Sequence, residues 1–240
     1  MKSAYAVLGA ILTLAACGQT AAPTTAQGES PGAGDTKAAE AAKPGDTKAD
    51  TAAPPVASGA KATVGQPAPD FTLNDSEGAP FQLSAHAGKL VVLEWFNPGC
   101  PFVQYAHGQG PLEDMATTET AAGVVWVAIN SGAPGKQGAG ADASRDGAKQ
   151  FGMTHPVLVD ESGAVGHAYG AEKTPHVFLV DATGVLVYAG AIDNAPIGEV
   201  DGEGAYVNHL ATALAEVRAQ RAVGIPQTKS YGCSVKYAKG

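Results

Sequence analysis

The sequence predicts an α/β domain, a mixed central sheet flanked by helices, with a β-hairpin ahead of it. Three observations predict it. Apolar runs rich in β-branched and aromatic residues, at 90–96, 124–130 and 156–160, are short enough to be strands buried on both faces. Segments with helical signals separate them, so successive runs form parallel strand–helix–strand units. Two later runs, 176–181 and 185–190, flank Ala182, Thr183 and Gly184, a turn that joins antiparallel strands.

Each element has its own signal. Order begins near Val64, and the runs ending at Leu73 and beginning at Phe81 enclose a turn at Asp75, Ser76, Glu77 and Gly78, which spells the leading hairpin. After the 90–96 strand come Asn97, Pro98, Gly99 and then Cys100, with Pro101 where a first helical residue needs no N–H. The pattern predicts a helix from there through Met115. Residues 142–151 form a second helix and 164–169 a helical turn. A closing helix over 205–222 places Tyr206, Leu210, Leu214 and Val217 at helical spacing.

The chain is two different materials. Of its 240 residues, 45% are apolar and 16% charged, an ordinary globular balance that argues against a wholly disordered chain. The formal net charge is −8, which disfavours a grip on phosphate backbones, so no nucleic-acid partner is expected. Residues 1–62 carry five lysines against five acidic residues, which leaves all of that charge to 63–240. Residues 18–62 contain no Trp, Tyr, Phe, Leu or Ile, and the segment 34–38 recurs as 45–49. Such a stretch cannot build a core and reads as a tether, with a reach of about 40 Å.

Ahead of the tether, Lys2 precedes an apolar run over 4–16 that is too short to span a bilayer and suits a signal peptide, residues 1–16. Its end, Leu14, Ala15, Ala16 and Cys17, resembles the bacterial lipobox. The resemblance implies that Cys17 becomes the acylated first residue of an exported, lipid-anchored protein facing the periplasm. Gly18 rather than Asp favours the outer membrane.

Three cysteines in so long a chain cannot form a disulfide framework, so each needs its own reading. A Cys at a helix start meets unpaired N–H groups and the positive end of the macrodipole, which stabilise the thiolate. Cys100 is so placed, at what the pattern predicts to be an exposed edge. The second thiol, Cys233, lies beyond the last helix in a tail over 223–240.

Together, the residues from Ala68 to Leu73, the Gly88–Lys89–Leu90 strand start, Cys100–Pro101 and Thr174–Pro175 resemble a thioredoxin fold of the redoxin or peroxiredoxin-like group, the alkyl hydroperoxide reductase/thiol-specific antioxidant superfamily. The match covers about residues 63–222. It implies that Cys100 is the nucleophile, that the Thr174–Pro175 bond is cis, and that this loop lies against Cys100. The chain departs from the family in two ways. Phe102 and Val103 follow Cys100–Pro101, so no neighbouring resolving thiol exists. Asn97 and Leu93 stand where typical peroxiredoxins carry Thr or Ser and Pro.

Cys233 is then the only internal thiol able to resolve a Cys100 adduct. A Cys100–Cys233 disulfide that only fastens the tail is the structural counterpart. Glu94 is a candidate buried carboxylate tuning Cys100, and Trp95, Phe96 and Phe102 candidates for the apolar surface around it. His107 and His176 could approach Cys100, as tuning groups or around a soft metal; with no paired-Cys motif, no metal and no cofactor is expected.

Three functions follow. The first is a membrane-anchored extracytoplasmic thiol-disulfide oxidoreductase using Cys100, resolved by Cys233, with disulfide-bearing proteins or small thiols and an external reductant as partners. The second is a thiol-dependent peroxidase using the same Cys, and the third a redox-inert binding or structural lipoprotein.

Overall fold

The computed structural model describes residues 60–200 and 202–239. The signal peptide, Cys17 and all but the last residues of the tether lie outside them. Among the described residues no helix is long and apolar enough to cross a membrane.

The sheet grows outward from one strand. β1 (Thr72–Asn74) and β2 (Pro80–Gln82) form the leading hairpin, and β3 (Val91–Trp95) is buried along its whole length. α1 (Pro101–Gly108) and α2 (Leu112–Ala121) lead to β4 (Val125–Asn130), which pairs parallel with β3. α3 (Gly140–Gln150) leads to β5 (Val157–Val159), parallel to β4, and α4 is Ala164–Tyr169. After the two-residue β6 (Lys173–Thr174), β7 (His176–Val180) returns antiparallel to β3 and pairs with β8 (Leu186–Gly190). The order is β5-β4-β3-β7-β8, the predicted mixed sheet. α5 (His209–Arg218) follows, and β9 (Cys233–Ser234) pairs antiparallel with β6 in a small separate sheet.

Strand alternation divides the core. Val91, Leu93 and Trp95 face one side, where they meet Phe71, Phe81 and Leu83 of the hairpin region with Val165 and Tyr169 of α4. Val92 faces the other, beneath Ala106 of α1, Leu112 and Ala116 of α2, and Leu210 and Leu214 of α5. Phe96, one residue beyond β3 on that second face, starts a smaller cluster with Cys100, Val103, Ala128 and Val157.

Two helices differ from expectation. The helix predicted to run through Met115 breaks at Gln109–Gly110–Pro111 and resumes as α2. Pro111 cannot donate to the preceding turn, and a residue before proline avoids helical geometry. Gly110 fits the corner because a Cβ there would lie 2.8 Å from Ala106 Cα. The closing helix starts at His209, and Tyr206, predicted as its first core residue, is 53% exposed. Residues 205–208 are held extended instead: Val207 N–H donates to Asn194 Oδ1 and Asp193 bridges to Asn208. Residues 223–239, set apart in the sequence as a tail, run along the domain, with Ala189 N–H donating to Pro226 O and Ala133 N–H to Lys236 O.

Asn208 is the N-cap of α5, its Oδ1 accepting from Ala211 N–H at 2.9 Å. Asn208→Ala is expected to lower the unfolding free energy by about 1 kcal/mol in urea titration. An unchanged midpoint would place the helix start elsewhere.

Candidate active site

Cys100 sits where β3 ends and α1 begins, held by a loop that fixes its own backbone. Asn97 Oδ1 accepts from Gly99 N–H at 2.9 Å, Asn97 Nδ2 donates to Gln137 O at 3.0 Å, and Cys100 N–H donates to Asn97 O at 3.0 Å. Gln137 Nε2 closes the loop on Gly99 O at 2.8 Å. Cys100 itself is the N-cap of α1 in extended geometry, with Pro101 in the first turn. Its sulfur therefore lies at the end of the helix where N–H groups are free.

The Thr174–Pro175 bond is cis. Cys100 Sγ donates to Thr174 O at 3.1 Å, so the loop and the thiol are in contact. Cys233 stands opposite Thr174 in the β6–β9 pair and packs against the cluster that holds Cys100. Both cysteines are free thiols.

Cys100 is only 1% exposed, a correction to the exposed edge that its sequence position predicted. The cover is β9, which no strand signal had announced. Its surroundings are apolar on one side, Phe96, Val103, Ala128 and Val157, and polar on the other. Burial alone would raise its pKa, but the Cys233 thiol, the Thr174 hydroxyl, Val103 N–H and Cys233 N–H together outweigh that and bring it below the ordinary thiol value. Thr174 Oγ1 is buried and makes no hydrogen bond. Cys233 goes the other way: burial, its bond to Cys100 and the charge there push its pKa up to about 11, against the pull of Lys236 and Lys173. The two thiols are thus shifted in opposite senses, Cys100 towards the thiolate and Cys233 towards the thiol.

The other candidates do not gather at the sulfur. Trp95 is buried on the opposite face, where its Nε1–H donates to Ser131 Oγ at 3.0 Å, because odd positions of β3 point towards the hairpin. Phe96 does pack with Cys100, and Phe102 meets Tyr231 at 6.1 Å between ring centres. His176, paired with Trp95 in the sheet, turns to the same far face and packs on Phe178; burial pushes its pKa down to about 4. His107 lies two turns along α1, with its Nε2 2.7 Å from Glu94 Oε1. Cys100, His107 and His176 do not converge.

Glu94 is fully buried, and its second oxygen accepts from Trp126 Nε1–H at 3.2 Å. Burial would raise its pKa, but the charge and hydrogen bond of His107, then His155 and Trp126, hold it below the usual carboxylate range. This cluster pins α1 to β3 and does not touch the sulfur.

Asn97, Gln137, Trp126 and His155 all serve the site region and were not singled out for those roles in the sequence. Asn97 carried a usable signal, a short polar side chain at a strand-to-helix junction. Gln137 carried none.

The Redoxin family model matches residues 63–207, more than half of the chain. The chain belongs to the Redoxin family. A curated relative of this Redoxin-family chain, the thiol-disulfide oxidoreductase ResA of Geobacillus thermodenitrificans, is 31% identical over 122 residues, 50% of this chain and 65% of the relative. The match thus spans less than two thirds of that relative's length. Among solved structures, a hypothetical protein from Sinorhizobium meliloti 1021 is 31% identical with a TM-score of 0.64, covering 74% of this chain and 96% of the other. An uncharacterized conserved protein from Geobacillus kaustophilus is 27% identical with a TM-score of 0.65, covering 74% and 94%.

His155, buried with both ring nitrogens unpartnered, has its pKa pushed down to about 4, chiefly by burial. The folded protein keeps it neutral while the unfolded chain protonates it below 6.5. Its contribution to stability is therefore complete above 6.5 and lost as pH falls towards 4. The loss amounts to about 3 kcal/mol if nothing relaxes. Urea unfolding should weaken over this interval, and less so in His155→Phe; equal slopes in the two proteins would refute a neutral buried His155.

Proposed function

We propose that the chain is an extracytoplasmic, membrane-anchored thiol-disulfide oxidoreductase with Cys100 as nucleophile and Cys233 as resolving thiol. The observation that carries the reading is the thiol pair itself: Cys100 at a helix N-terminus against Thr174 O, with Cys233 in contact and shifted in the opposite sense. Two thiols with separated pKa values can divide attack and resolution between them. The ResA name of the curated relatives supports the same chemistry, and the lipobox-like end at Cys17 supports the anchor.

The Cys100 thiolate attacks one sulfur of a substrate disulfide. That S–S bond breaks, a Cys100–substrate disulfide forms, and the other substrate sulfur leaves as a thiolate that takes a proton from solvent. With Cys100 now neutral, the charge that held the Cys233 proton is gone, and Lys173 and Lys236 favour its release. The Cys233 thiolate then attacks the Cys100 sulfur and the second substrate sulfur leaves. The substrate has gained two electrons, and the chain holds a Cys100–Cys233 disulfide. An external dithiol reduces it.

In a full-length reduced protein, thiolate absorbance is expected to titrate below about 8.5 and to vanish in Cys100→Ser. Turnover of a protein disulfide should fall on the order of a hundredfold or more in either cysteine variant, with Cys233→Ser halting at a mixed disulfide on Cys100 by mass spectrometry. Titration above that value, or undiminished turnover in Cys100→Ser, would remove the proposal. Rapid oxidation of Cys100 by peroxide with slow disulfide exchange would move the function to the peroxidase.

A further inference from the structure

We infer that the cavity walled by Lys173, Lys229, His209, Ser230 and Gly232 binds the external reductant of this site, and that this reductant is a small dithiol carrying a carboxylate. The inference rests on the thiol-disulfide reading above and names the chemistry of its reducing partner.

Charge selects the class of ligand. Residues 223–240 carry Lys229, Lys236 and Lys239 and no acidic residue, although the formal net charge of the chain is −8. Lys173 stands opposite Ser234 in the β6–β9 pair, with its Nζ 3.5 Å from Ser234 Oγ. Among the described residues none of Lys173, Lys229 and Lys236 is in an ion pair. An acidic protein that keeps uncompensated cations around one thiol draws small anions to that place and repels them elsewhere.

The cavity selects the size. It holds about 410 Å³, the volume of a small-molecule site and not of a protein interface, and Gly232 in its wall directly precedes Cys233. Asp193 also lines it, but its carboxylate is already engaged. Its Oδ1 accepts from Tyr231 O–H at 2.7 Å and from Ala195 N–H at 3.0 Å, and its Oδ2 from Tyr206 O–H at 3.2 Å. Lys173 and Lys229 are therefore the charged groups left to meet a ligand carboxylate.

Access selects the sulfur. Cys100 is 1% exposed, whereas Cys233 is only half-buried, so a thiolate arriving from outside meets the Cys233 end of a Cys100–Cys233 disulfide. The leaving group favours the same direction, because the thiol with the lower pKa departs faster and that thiol is Cys100. The S–S bond breaks, Cys100 leaves as a thiolate, and the reductant is joined to Cys233. The second thiol of the reductant, losing its proton to solvent, then attacks the reductant's own bound sulfur. The reductant closes into a cyclic disulfide, and Cys233 leaves as a thiolate that takes up a proton. Two electrons have passed from the dithiol to the chain.

The test uses full-length protein oxidised to the Cys100–Cys233 disulfide and two probes that differ at one end, dihydrolipoate with a carboxylate and dihydrolipoamide with an amide. Each rate is divided by the rate of the same dithiol with a neutral aryl disulfide. At low salt dihydrolipoate is expected to reduce the protein about tenfold faster, and the ratio to fall towards unity in about 1 M sodium chloride. Lys229→Glu should erase the preference and Lys229→Arg keep it, while Lys89→Gln, on a different cavity, leaves it unchanged. Equal rates for the two dithiols, or a preference that survives in Lys229→Glu, would overturn the inference. The reading beneath it fails separately: reduced protein that forms no Cys100–Cys233 bond on turnover of a substrate disulfide would bring down the oxidoreductase itself, whereas normal formation with no carboxylate preference brings down only the reductant site.

Discussion

Burying a sulfur and favouring its ionised form are opposed demands, and the polar groups that reach Cys100 tip the balance against burial. Removing the thiolate from water favours the thiol. Against this stand Val103 N–H at the head of α1, the Thr174 hydroxyl, and both the N–H and the thiol of Cys233. These groups come from three separate parts of the chain. Two of the four belong to β9.

That arrangement needs α1 held at a fixed angle to β3, and a buried charge cluster does this from below. Glu94 lies on the same face of β3 as Phe96, and it grips His107 two turns into the helix. A carboxylate with no exposure is tolerated only because His107 and Trp126 satisfy both of its oxygens. Phe151 stacks on His107 from the far side, with 5.5 Å between ring centres, which closes the cluster to water. Distance from the sulfur is what distinguishes this role from proton transfer: the carboxylate orients the helix whose N-terminus faces the thiol.

The sheet was legible because its strands are written in runs that nothing else explains. Val91 to Trp95 and Val125 to Asn130 are nearly all apolar, and both faces of each strand are buried. The cis Thr174–Pro175 bond and its contact with Cys100 were also within reach, through the family pattern of Cys100–Pro101 and Thr174–Pro175. Helix ends were less so. Periodicity continued across Gly110 and back to Tyr206, whereas Pro111 and the Asn208 cap fixed the true limits. For Trp95 the alternation of β3 already contained the answer, since it shares a face with Leu93 and not with Phe96.

The tail was the least legible part, and the reason is physical. A strand of two residues has no periodicity to detect, and Cys233 and Ser234 have no strong preference for extended structure. What makes them a strand is the partner, the edge formed by Lys173 and Thr174. Gly232 is the one local clue, for a left-handed glycine directly before a cysteine allows the backbone to approach Thr174 O as no other residue does. The thiol beside Cys100 and two of the donors that favour its ionised form therefore belong to one short segment. It is defined by what it lies against and not by its own composition, so sequence patterns single out Cys100 while leaving the strand beside it unseen.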